Sequence, residues 1–313
     1  GASVVMRGDL TLTADAGFGS QPSDGVGAIR VLGGLRLESS FGTLALAAPE
    51  GIDGSAMAAG DQLILDTSEA LALPDADLAG GLMLFALGPA TTGAISAGGT
   101  IAALDAGNAF GGAVTVDATG GDVALFGQGD LTLGAVSAGA LAVEAGGALS
   151  QSGILTVGGA ATLTAGSIDL AFLDNDFAGV VTTSATGLAS LADANALRLG
   201  QTDAGALAIV AQGAVTQAAG TRIAVAGASS VVTDEAAVTL DAAGNLFGGA
   251  LSVETALAAG SPAAVTLAAQ GPLVLGDVVG GDLEVRASGK LSQVGEIRAA
   301  GTSLLAASVI DLS

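Results

Sequence analysis

The sequence predicts an all-β fold, a right-handed parallel β-helix in which short strands stack coil upon coil. Three observations predict it. A long repeat runs through the chain, glycine punctuates it every few residues, and apolar residues alternate with Thr between the glycines. Alternation of that kind marks a strand with one face buried.

The long repeat is the first element. Asn108-Ala-Phe-Gly-Gly-Ala-Val returns as Asn175-Asp-Phe-Ala-Gly-Val-Val and as Asn245-Leu-Phe-Gly-Gly-Ala-Leu. Phe41, Phe110, Phe177 and Phe247 follow the same interval. Leu131-Thr-Leu-Gly134 matches Leu197-Arg-Leu-Gly200 and Leu273-Val-Leu-Gly276, and Leu149-Ser-Gln151 matches Val215-Thr-Gln217 and Leu291-Ser-Gln293. The copies cover approximately 39–107, 108–174, 175–244 and 245–313, with no break in composition, so the reading is one domain over 1–313. A periodicity of this size is the mark of a solenoid. Each copy divides into pieces of about 21–23 residues, the size of one β-helix coil, which gives roughly 14 coils over the chain. At about 4.8 Å per coil, the stack would rise about 65–70 Å.

The strands come next. Leu10-Thr-Leu-Thr13, Val114-Thr-Val116, Leu131-Thr-Leu133 and Leu155-Thr-Val157 have a period of two. Ala and Leu are common enough to suggest helices, but each interior Gly costs a helix about 1 kcal/mol, and there are 51 glycines. Gly, Asp and Asn fall between the strands, where a corner needs an unusual backbone angle or a side chain that bonds the turning chain. Strands this short gain little locally; stacking each on its equivalent one coil away is what stabilises them. Parallel crossovers are right-handed in nearly all sheets.

Composition limits function. Thirty acidic residues against eight basic ones give a net charge of −22, which excludes nucleic acid, whose phosphates need clustered Lys and Arg. No apolar run long enough for a membrane span escapes interruption, so membrane insertion is not expected. The chain lacks His, Cys, Tyr and Trp. It therefore lacks the commonest general base and the best nucleophile, and it has no good haem ligand beyond methionine. Thr-x-Thr is too sparse for an ice-binding row. The expectation is a protein that is not an enzyme, and a β-helix polysaccharide-active enzyme is the minor alternative.

The pattern N-x-F-x-G-x-V, L-T-L-G, L-x-V-x-A-x-G-x-L-S-Q resembles the repetitive shafts of filamentous haemagglutinin-like exoproteins, the large adhesins of bacterial two-partner secretion. The resemblance is best over 108–313. It implies a secreted or cell-surface protein acting in attachment, aggregation or biofilm. None of the asparagines precedes Pro, so the segment resembles shaft and not secretion head. The second reading is a subunit of a homopolymeric extracellular filament, sheath or surface layer. The expected partners are other copies of the chain or further solenoid coils at both ends, with a host receptor or surface glycan as a further option.

Several residues are candidate sites. Arg7-Gly8-Asp9 is an integrin-type tripeptide, although Gly-Asp-Leu recurs at 129–131 and 281–283 as a turn that opens a strand. Asp174 and Asp176 flank Asn175 and offer oxygens to calcium, the one cofactor considered; a corner role competes with it. Asn108, Phe110, Asn175, Phe177, Asn245 and Phe247 are read as repeat positions that turn corners and fill core. Gln151, Gln217 and Gln293 are read as structural in preference to a sugar-binding row.

Overall fold

The structure, a computed structural model, describes residues 2–6, 10–13, 29–30, 35–39, 44–47, 52–54, 61–67, 71–86, 89–103, 109–110, 112–118, 120–255 and 261–312. Among these there is no helix, and the strands are short and pair in parallel as a β-solenoid. The chain divides into two compact units, Gly1–Val157 and Gly158–Ser313.

In the first unit the coil has three sides. One coil runs through Gly81–Ala86, Pro89–Thr92 and Ile95–Ala97, and the next through Ile101–Ala103, Ala109–Phe110 and Val114–Asp117. Each strand pairs with its counterpart one level on, Leu82 with Ile101 and Ile95 with Val116. Inward positions carry the apolar residues of the period-two pattern: Leu65, Leu84, Ala103, Leu125 and Val143 form one column, all nearly inaccessible. Small side chains suffice because each level encloses only a narrow interior.

The solenoid has about 12 turns of unequal length, roughly 19 residues where compact, against the roughly 14 coils of 21–23 residues read from the sequence. Compact turns set the shorter figure, with Val123 opposite Leu141 and Leu63 opposite Leu82. Other turns consume more chain, with Leu35 opposite Leu63 and Val238 opposite Val265. Averaging compact and stretched turns produces the longer figure.

In the second unit the long repeat and the coil are out of step. Above Leu197 stand Val215, Val238 and Val265 in turn. Three levels therefore end at Val265, short of Leu273, where the next copy of Leu197-Arg-Leu-Gly200 begins. That copy lies in another column, with Leu275 above Leu251, Ser229 and Leu207. A repeat is thus three coils and one further side, and successive copies of an element turn to different sides of the solenoid. Phe247 shows the consequence. Below it stand Val225, Ala204, Ala185 and Ala165, and not Phe177.

Candidate functional site

The corner asparagines are among the most deeply buried polar residues. Asn175 and Asn245 are fully buried. In each, the side-chain amide donates to a carbonyl five residues back, Leu170 O and Leu240 O, both at 3.2 Å. An Asn side chain can stand in for backbone in closing a turn, and burial makes that bond obligatory. Asn245 is further locked to Gln217. The Gln217 Nε2 donates to Asn245 Oδ1 at 2.8 Å, and Asn245 Nδ2 donates to Gln217 Oε1 at 2.9 Å. Ile223 N also donates to Asn245 Oδ1, at 2.9 Å. Gln151 Nε2 donates to Gly153 O at 2.8 Å, and Gln293 is half-buried. Phe177 and Phe247 are buried and Phe110 half-buried.

A second device explains many of the acidic residues. Five aspartates accept, through Oδ1, the backbone N–H of a residue one coil above: Asp75 from Ala94, Asp122 from Ala140, Asp130 from Ala148, Asp277 from Glu296 and Asp282 from Thr302, at 2.7–2.9 Å. In every case the residue before the donor is glycine. A Cβ at Gly93, Gly147, Gly295 or Gly301 would lie 2.1–2.6 Å from that same Oδ1, and at Gly139 3.1 Å. Four of these aspartates follow a glycine and Asp75 follows Pro74; each staples its coil to the next. Charge-assisted bonds to backbone N–H are the stronger kind. At Asp282 the bonds from Thr302, backbone first and hydroxyl second, hold the carboxyl below its ordinary range. Sequence reading found Gly-Asp as a turn but not as a staple, because the donor lies a whole coil away.

Asp193 is the exception. It is fully buried and accepts from Phe177 N at 2.9 Å and Asn195 N at 2.6 Å. Burial pushes its pKa up; the two backbone bonds pull it down, and nearby Asp176 adds to the rise. Sequence reading missed it, since the equivalent positions of the other copies are Gly127 and Ala269.

The calcium candidates do not converge. Asp174 is exposed and Asp176 half-buried, while Asn175 between them points inward to Leu170. Among the described residues no group of three or more acidic side chains could hold a metal ion. Arg7, Gly8, Asp9 and Asn108 lie outside the described residues.

A shallow groove of about 520 Å³ crosses five levels of the first unit, over the side that carries Asp77, Ser96, Asp117, Ser137 and Thr156.

No curated protein matches the chain, and no solved structure matches it. A family described as repeats of unknown function (DUF5649) matches residues 120–184, 186–254 and 262–313. The three segments start just ahead of Val123, Ala189 and Val265, the same strand of the repeat. With more than half of its length matched in three successive copies, the chain belongs to this DUF5649 repeat family.

Proposed function

We propose that the chain is a shaft segment of a secreted bacterial surface protein of the adhesin type, with a mechanical role and no catalytic one. The observation that carries this reading is where the polar chemistry goes. The aspartates of the Gly-Asp corners bond the next coil, and the asparagines and Gln217 bond corners inside the fold. These groups hold levels together along the stack, as a spacer under tension requires. The reading needs no cofactor. It places the protein outside the cell or on its surface, where attachment or aggregation is the outcome it serves.

The second reading is a filament subunit, in which coils of separate copies would pair in parallel as successive coils do within the chain. Electron microscopy of the purified protein across a concentration series tests both. Discrete short rods at every concentration support the shaft. Long unbranched filaments one solenoid wide support the subunit, and globular particles would refute both.

A further inference from the structure

We infer that the groove of the first unit binds a linear polycationic glycan, a β-linked chain of free-amino hexosamines, laid along the stacking direction. The groove is bordered by one outward row in strict register: Asp77, Ser96, Asp117, Ser137 and Thr156. Levels are about 4.8 Å apart, so the carboxylates of Asp77 and Asp117 stand about 9.6 Å apart with the Ser96 hydroxyl between them. The neighbouring outward row, Asp75, Ala94, Thr115, Ala135 and Ile154, forms the floor and gives it an aliphatic surface at three of its five levels, with Ile154 45% exposed.

Charge and spacing select the occupant. No Lys or Arg lines the groove, and the chain carries −22 overall, so a cation is attracted and an anionic chain repelled. A β-linked hexosamine advances about 5 Å per sugar, close to the about 4.8 Å step between levels. Alternate ammonium groups then meet the two carboxylates, while the hydroxyls of the row face sugar hydroxyls. An extended peptide lying the same way advances about 3.4 Å per residue and falls out of step. It also cannot add as a strand, because the backbone groups on this side are used between levels. The Ala and Ile positions of the floor present flat aliphatic surface to the C–H faces of the sugars. The volume lies within the ordinary range of ligand sites, about 300–1,000 Å³. The inference is independent of the shaft reading.

The test is isothermal titration of the whole protein with a glucosamine hexamer, its fully N-acetylated counterpart and a hexalysine peptide. The free-amino hexamer should bind, more weakly as salt rises, and the acetylated one should bind at least several-fold more weakly. Asp77→Asn/Asp117→Asn, checked for unchanged circular dichroism, should weaken binding by about tenfold, as two exposed ion pairs allow. Absence of hexamer binding would overturn the proposal. So would equal binding of the acetylated form, tighter binding of hexalysine, or indifference to the double substitution. Rod or filament formation in the microscope is unaffected by any of these outcomes.

Discussion

Gly147→Ala should destabilise the first unit, although Ala is the gentlest of substitutions. A Cβ at Gly147 would lie 2.1 Å from Asp130 Oδ1, 3.0 Å from Asp130 N and 3.1 Å from Gly129 C. The methyl must expel the carboxylate from its bond with Ala148 N, made at 2.8 Å, and still press on backbone. Loss of the bond costs about 1 kcal/mol, since the site is exposed. The remaining overpacking costs about 1–3 kcal/mol, and the stiffer unfolded chain returns about 0.4–1 kcal/mol. The net loss is about 1–3.5 kcal/mol. Gly129, one level below, provides the control, because a Cβ there meets nothing within 4 Å. Gly129→Ala should be neutral or stabilising by up to about 1 kcal/mol. Asp130→Ala removes the Oδ1, so Asp130→Ala/Gly147→Ala should cost less than the sum of its parts by about 1 kcal/mol. Urea unfolding midpoints at constant slope read all four proteins. If Gly147→Ala is as stable as Gly129→Ala, or the double substitution is additive, the staple is wrong.

Further outcomes follow from the same geometry. Val143, 3% exposed in its column, should not tolerate Asp. Val143→Asp should lose more than about 4 kcal/mol, whereas Thr132→Ser keeps the hydroxyl that meets Ser150 Oγ at 3.0 Å and should be silent; equal thermal melts would overturn the strand phase. The Thr183 hydroxyl is buried with no hydrogen-bond partner, so Thr183→Val should raise stability by about 1 kcal/mol in urea unfolding, and a loss would mean that the hydroxyl is satisfied. The carboxyl of Asp282 is held below 3.8 in the fold. Protonation therefore favours unfolding, and its contribution is present above 3.8 and lost as pH falls through the folded value. Asp282→Asn should melt lower than wild type at neutral pH, with the difference closing in acid. Asp193, raised by burial, acts with the opposite sign: its cost is present at neutral pH and is relieved as pH falls toward 3.8.

The architecture was legible because strand signals are local. Val114-Thr-Val116 and Leu155-Thr-Val157 alternate within a few residues, and the structure buries Val114, Val116, Leu155 and Val157. The phase between repeat and coil was not legible. It depends on how many residues each corner consumes, and stretched turns such as Val238 to Val265 are not marked by any residue type. The same distance hides the staples, since Asp130 and Ala148 are a whole coil apart in sequence. It also hides the groove, whose row from Asp77 to Thr156 is assembled from five different coils. Asp193 escaped because it breaks the repeat instead of following it.

The chain has no native cysteine, so paired cysteines test the stacking register most directly. Facing residues on adjacent parallel levels lie about 4.8 Å apart, within the Cα range of a disulfide. Thr132 with Ser150, Ser230 with Ser252 and Thr266 with Glu284 are opposed in the structure. Each pair, replaced by Cys, should close on mild oxidation to a species resolved by mass spectrometry of the digested protein. Gln128→Cys/Ser150→Cys, which a uniform coil of about 22 residues would bring face to face, should stay open. Closure of that pair in place of Thr132→Cys/Ser150→Cys would contradict the register on which the coil, the staples and the groove all depend.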